Sequence, residues 1–320
     1  MKGLNMKGKL GVKVLCVLAL FLGGLSATAS IYKYDLFEVA LKIERENAGL
    51  VSRELRMDGM KISYLISSGT AADKPTLVLV HGFGALKENW VRFATELREK
   101  YRIVALDLPG HGNSAKNLSG DYRIESQVAF LARFLDQLGM AKVHLAGNSM
   151  GGAIVSMFAA RYPEKAASLV LFDPAGVFDF KAPFQDMLAA GVNPLIVRTE
   201  TEFDYLIRFA MEKPPVIPWP FSVVLAEQTI AKADINQYIF TQLVSSEAEE
   251  FKVLLSKVSA PTLIIWGTED RVIDVKNAQV FQRLMPNASV RMYDGIGHVP
   301  MLEVPSRSAQ DVTEFIQSLL

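Results

Sequence analysis

Ser149 lies between two glycines in Gly147-Asn148-Ser149-Met150-Gly151, and its flanks give that spacing a chemical meaning. The apolar run 143–146 reads as a short buried strand, and residues 153–159 read as a mostly apolar helix. A serine on a tight strand-to-helix turn holds its hydroxyl clear of the sheet, and the helix N-terminus beneath it favours developing negative charge. The flanking glycines let neighbouring backbone approach without a Cβ clash. The chemistry this predicts is nucleophilic attack by a serine hydroxyl.

Such a hydroxyl needs a general base, a group that orients the base, and backbone N–H groups for the oxyanion. Candidates stand in the chain order Ser, acid, His. His298, in Gly295-Ile296-Gly297-His298 after the short strand pattern 290–293, is the candidate base. Asp270, in Thr268-Glu269-Asp270 after the strand pattern 261–267, is the candidate acid. Asp173, at the end of the pattern 168–172, rivals it, and Glu269 is a lesser rival. His81-Gly82-Phe83-Gly84 follows the buried-strand pattern 76–80, so the Phe83 and Met150 N–H groups are the oxyanion candidates. The other histidines read mainly as structural: His81 braces the oxyanion loop, His111 sits in a Pro-Gly turn where touching substrate is the alternative, and His144 lies in a buried strand. No HExxH or Cys/His cluster is present, so no metal is expected.

Positioning these groups takes an alternation of strands and helices. Residues 50–67 fit a hairpin turning at Asp58-Gly59; a helix over 87–100, a strand over 102–106 and an amphipathic helix over 124–138 follow. A last helix is expected over 306–320. The alternation predicts an α/β class with a mostly parallel sheet flanked by helices. It breaks over residues 177–258, which are rich in large apolar side chains and carry the proline-rich Lys213-Pro214-Pro215-Val216-Ile217-Pro218-Trp219-Pro220-Phe221. At 320 residues, half of them hydrophobic, the chain can bury a large core. Its 34 basic residues balance its 34 acidic ones, which gives no electrostatic case for nucleic acid. Cys16 is the single cysteine, so no intrachain disulfide can form.

The N-terminus points to a membrane. Lys2, Lys7, Lys9 and Lys13 precede an uncharged run over 14–32, about long enough to cross a bilayer as a helix. A transmembrane anchor is therefore expected over residues 1–32. The basic flank comes first, which places the rest of the chain outside the cytoplasm. The rival is a signal peptide cleaved after Ala27-Thr28-Ala29, which would leave a secreted protein. Residues 33–49 follow with no Gly or Pro between Ile31 and Asn47, and Leu36, Val39, Ala40 and Ile43 recur at helical spacing. Two readings stand side by side: a juxtamembrane helix continuing the anchor, or a surface helix packed on the body.

These motifs together resemble the α/β-hydrolases of the lipase and esterase branch. The resemblance rests on His81-Gly82-Phe83-Gly84 with Trp90, Asp107-Leu108-Pro109-Gly110-His111-Gly112-Asn113-Ser114, the Ser149 elbow through Gly152, and Gly295-x-Gly-His298. It runs from about residue 50 to the C-terminus and is closest to membrane-anchored monoacylglycerol lipases and bacterial membrane-bound phospholipase A proteins. It implies an α/β-hydrolase domain over 50–176 and 259–320, with a helical cap or lid over 177–258 that could line an acyl-chain pocket. It implies ester hydrolysis of an acyl lipid by Ser149, His298 and Asp270 through an acyl-enzyme, without a cofactor. Some lipases carry the acid at the position of Asp173, but the Gly-x-Glu-Asp pattern matches Asp270 better. Enzymes of the family with an aspartate nucleophile are excluded by Ser149. The implied location is the cytoplasmic membrane, with the catalytic domain facing the periplasm. A homodimer through the membrane and juxtamembrane helix stays open. Carbon–carbon bond hydrolases share a similar elbow, so they and small-ester esterases are the alternative. A non-catalytic binding scaffold is the third reading.

Overall fold

The structure, a computed structural model, describes residues 30–69, 73–244 and 248–319. The anchor expected over 1–32 falls almost wholly outside these residues, and no described helix is long and apolar enough to cross a membrane. The described chain starts in helix α1 (Lys33–Asn47). Its stripe of apolar residues is real, but it faces away from the body. Leu36, Val39 and Ile43 are 42, 55 and 52% exposed, whereas Phe37, off the stripe, is 6% exposed.

Strands β1 (Leu50–Met57) and β2 (Met60–Ser67) form the expected hairpin. Asp58 and Gly59 turn it with φ of 51° and 76°, the pair of positive values that a tight two-residue hairpin loop requires. Strand β3 (Thr76–Val80) follows, then a 3₁₀ turn over Lys87–Trp90, helix α2 (Val91–Leu97) and strand β4 (Arg102–Leu106). The helix expected over 87–100 is thus shorter. It ends at Leu97 rather than at Lys100, its first turn is 3₁₀, and the Lys87 backbone N–H is capped by the Asp107 carboxylate at 2.8 Å. Next come α3 (Ile124–Gln137), β5 (Val143–Asn148), α4 (Met150–Arg161) and β6 (Ala166–Phe172).

Among the described residues, five helices stand between β6 and the next strand, as the break in alternation predicts. They are α5 (Pro183–Ala189), α6 (Glu200–Ala210), α7 (Phe221–Ile230), α8 (Ala233–Leu243) and α9 (Ala248–Leu255). The chain then returns through β7 (Thr262–Gly267), α10 (Asn277–Leu284), β8 (Ala288–Tyr293), the short α11 (Pro300–Glu303) and α12 (Pro305–Gln317).

The strands form one eight-stranded sheet in the order β1-β2-β4-β3-β5-β6-β7-β8. Pairings β1–β2 and β2–β4 are antiparallel, and all pairings from β4 to β8 are parallel. Both faces are buried, which is why the central strands read as unbroken apolar runs. In β3, Leu77 and Leu79 join one core with Phe93 and Val312, while Val78 and Val80 join the other with Phe134 and Phe281. The candidate chemistry lies beyond the C-terminal ends of β3, β5, β7 and β8, where open parallel sheets bind ligands.

Helix α1 reaches across to the inserted helices. Phe37 packs on Phe221 with ring centroids 5.9 Å apart, and Glu227 of α7 accepts from Lys33 Nζ at 2.5 Å and Tyr34 Oη at 2.6 Å. Arg45 holds the other end to Glu88 at 2.6 Å. These contacts turn the Phe37 face inward and leave the Leu36 stripe outside.

Candidate active site

Ser149 joins β5 to α4 with φ 54° and ψ −119°. A non-glycine residue held there stores on the order of 1–3 kcal/mol of strain. The glycines on either side permit it. A Cβ at Gly147 would stand 2.3 Å from the Gly151 carbonyl oxygen, and one at Gly151 would stand 2.2 Å from that of Val80. The elbow is tied down by its own neighbours. Ser149 N–H donates to Phe172 O at 3.0 Å, and Asn148 Nδ2 donates to Phe172 O and His298 O at 3.1 and 3.0 Å.

The structure brings Asp270, and neither rival, into contact with His298. His298 Nδ1 lies 2.7 Å from Asp270 Oδ2, with both side chains buried. Asp270 Oδ1 accepts the Val272 and Ile273 N–H groups at 2.8 and 3.0 Å, so the carboxylate is fixed on both oxygens. An Nδ1–H donating to Asp270 leaves Nε2 free to accept a proton. His298 and Ser149 line the same cavity. Glu269 is exposed.

Asp173 is fully buried beside this pair. Its Oδ1 accepts the Gly267 N–H at 2.9 Å, and its Oδ2 has no partner. Burial first, then the Asp270 charge, pushes the Asp173 carboxyl well above the usual range. Asp173, Asp270 and His298 each place a ligand atom within 4.8 Å of the others. That cluster fits proton sharing better than an ion. Ligands bound tetrahedrally at about 2.0–2.2 Å from one metal stand about 3.3 Å apart, farther than the His298–Asp270 contact.

Phe83 and Met150 also line the cavity at Ser149. Among the described residues neither backbone N–H has an acceptor. The loop carrying Phe83 is braced from behind. His81 Nδ1 contacts Gly82 O at 2.7 Å while Nε2 accepts the Leu108 N–H at 3.1 Å, and burial keeps the ring's pKa low. A buried pair, Lys87 Nζ to Asp107 Oδ2 at 2.7 Å, clamps that loop to the turn after β4. Burial raises the Asp107 pKa, but Lys87, His81 and the Asn113 N–H outweigh it and hold the carboxyl below its usual range. His111 is buried with its pKa pushed down to about 3, and His144 bonds Ser168 at 2.8 Å; among the described residues neither bonds Ser149, Asp270 or His298.

Two cavities meet at Ser149 and Phe83. One, of about 430 Å³, is walled by apolar side chains including Met157, Phe184, Leu188, Phe240 and Phe251. The other, of about 850 Å³, runs between α1, the loop carrying Phe83 and the inserted helices, and His298 opens into it.

The α/β-hydrolase fold family matches residues 75–305. The chain belongs to this family. Among the relatives of this α/β-hydrolase, Lipase 1 of Psychrobacter immobilis is 33% identical, covering 95% of this chain and 97% of that one. Monoacylglycerol lipase ABHD6 of Homo sapiens is 28% identical over 98% of this chain and 93% of its own. A solved membrane phospholipase A, described as a bacterial virulence factor, superposes with a TM-score of 0.87 at 38% identity, over 96% and 99% of the two chains.

Three supports of this α/β-hydrolase site are absent from the sequence reading. Asn148 stands beside the serine, and only the fold shows that it holds the His298 loop. Glu303 accepts the N–H groups of Gly297, Glu212 and Lys213 at 3.0, 2.9 and 2.7 Å, fastening that loop to the insertion. The Lys87–Asp107 pair joins residues twenty apart. The only sequence signal for it is an aspartate closing a buried strand.

Proposed function

We propose that the chain is a membrane-anchored serine hydrolase that cleaves carboxylic ester bonds of acyl lipids. Ester cleavage agrees with relatives named as lipases. The observation that carries the reading is the buried His298–Asp270 contact of 2.7 Å, opening onto the cavity that Ser149 lines. Ser149 Oγ attacks the ester carbonyl while His298 Nε2 takes its proton, and Asp270 holds the ring and stabilises the imidazolium. The Phe83 and Met150 N–H groups receive the oxyanion. His298 then returns the proton to the leaving alcohol, and a water activated by the same nitrogen releases the acid.

The apolar cavity is the acyl pocket, and the inserted helices over 177–258 are the cap that walls it. Residues 1–32 anchor the chain in the cytoplasmic membrane, with the domain outside. Hydrating an acyl chain costs about 0.8 kcal/mol per CH₂, so a tethered cap that receives the chain from the bilayer avoids most of that cost. The test is a panel of acylglycerols, phospholipids and soluble esters. Turnover of long-chain lipid esters well above soluble esters is expected; activity on soluble carbon–carbon or small-ester substrates alone overturns the lipid assignment.

A further inference from the structure

Four charged side chains in the larger cavity neutralise one another: Arg45 pairs with Glu88 at 2.6 Å, and Arg92 with Glu44 at 3.4 Å. Two ammonium groups there have no such partner. Lys116, in the loop after β4, donates to the Gly112 and Ser114 carbonyls at 2.5 and 3.2 Å, which fixes its position without neutralising it. Lys232, the N-cap of α8, is half-buried, and its ammonium has no hydrogen-bond or ion-pair partner among the described residues. The acids nearest it electrostatically, Asp107 and Glu88, are already held by Lys87 at 2.7 and 3.2 Å. The remaining carboxylate of the cavity wall, Glu38, stands exposed on α1.

One turn along α8, Asn236 faces the same cavity. It is 3% exposed, and its amide makes no hydrogen bond among the described residues. Its Nδ2 lies 3.7 Å from where a Cβ on Gly84 would stand, so it abuts the oxyanion loop. The first turn of the 11-residue α8 adds backbone donors and the positive end of its dipole. Unpaired cations, an unpaired buried amide and a helix N-terminus thus converge next to Phe83.

We propose that Lys116, Lys232 and Asn236 form an anion subsite that takes the phosphate of a phospholipid head group while the acyl chain of the same molecule fills the apolar cavity. The inference rests on the ester-hydrolase reading and narrows its substrate class. The subsite adjoins the loop carrying Phe83 and shares its cavity with Ser149 and His298. Burial lowers both lysine pKa values, and the Lys232 charge lowers that of Lys116 further; a bound phosphate relieves each of these effects. An uncharged glycerol head group would leave the ammonium groups unpaired, which disfavours it in proportion.

The experiment compares kcat/KM of the full chain in detergent on lysophosphatidylglycerol and on monoacylglycerol of the same acyl length. The wild type should favour the phospholipid. Lys232→Met and, separately, Lys116→Met should each lower the phospholipid-to-monoacylglycerol ratio by about ten-fold, the scale of one desolvated charge contact. Lys232→Arg should restore it. An unchanged ratio, or a fall that Lys232→Arg does not restore, overturns the subsite. Inorganic phosphate separates two sources of the same anion: millimolar phosphate should leave monoacylglycerol cleavage unaltered, and Lys232-dependent inhibition would make this a free-anion site instead. If the wild type cleaves neither lipid, the ester-hydrolase reading is what fails. The subsite is then judged by calorimetric binding of lysophosphatidylglycerol: weaker binding to Lys232→Met supports it, and equal or absent binding overturns it.

Discussion

Two aspartates a few ångströms apart carry opposite assignments, and substitution by asparagine separates them. Asp270 contacts His298, and in the proposed mechanism it accepts from Nδ1; Asp270→Asn presents a donor instead and should cut kcat about ten-thousand-fold. Asp173 makes no contact with His298 and its carboxyl pKa is held well above the usual range, so Asp173→Asn should keep kcat within about ten-fold, and asparagine tolerates its φ of 45°. Stability adds a signed check. The folded-state pKa of Asp173 is raised, so its stabilising contribution is present below the unfolded value of about 3.9 and is lost as pH rises toward the folded value. Asparagine has no such loss. Urea midpoints should therefore favour Asp173→Asn more at pH 8 than at pH 5, and an equal gap at both would contradict a protonated Asp173. Ser149, Asp270 and His298 were all legible as candidates, because chain order and elbow pattern are local. That Asp270 rather than Asp173 meets His298 was decided by the Val272 and Ile273 N–H groups, which aim the Asp270 carboxylate once the chain has folded.

At the scale of elements, alternation and turn chemistry were readable wherever the causes are local. Asp58-Gly59 announced the hairpin, and the apolar runs announced the double-faced strands. Helix α1 shows where that reading stops. Periodicity located the Leu36 stripe but carried no information on which face turns inward; Phe221 and Glu227, nearly two hundred residues away, decided that. The elbow offers a sharper prediction. Gly151 packs α4 against the end of β3 with no room for a methyl group, since the obstacle is the Val80 carbonyl rather than a movable side chain. Gly151→Ala should lower unfolding free energy by about 1–3 kcal/mol, read from the urea midpoint, and displace the Ser149 turn enough to depress kcat. Wild-type stability and turnover in that variant would show that the elbow is not closed in this way.

For the whole molecule, α1 couples the N-terminus to the site, because it walls the larger cavity and ties the body to the insertion. Two truncations should therefore differ. Removing residues 1–32 keeps Phe37 against Phe221; soluble-ester activity should survive, while activity on bilayer phospholipid falls about a hundred-fold with the loss of tethering. Removing residues 1–49 also strips that wall, and should cost at least about 3 kcal/mol of stability and lower activity on both substrates. Equal behaviour of the two truncations would reduce α1 to a spacer. All of this presupposes that the intact chain turns over lipid through Ser149. Rapid acid quench of the full-length protein with a long-chain phospholipid, followed by peptide mass spectrometry, tests that directly. The account predicts a transient acyl adduct on the peptide containing Ser149, with Ser149→Ala showing no adduct and about a million-fold lower turnover. Lipid cleavage that persists in Ser149→Ala, or an adduct on any other residue, would contradict it.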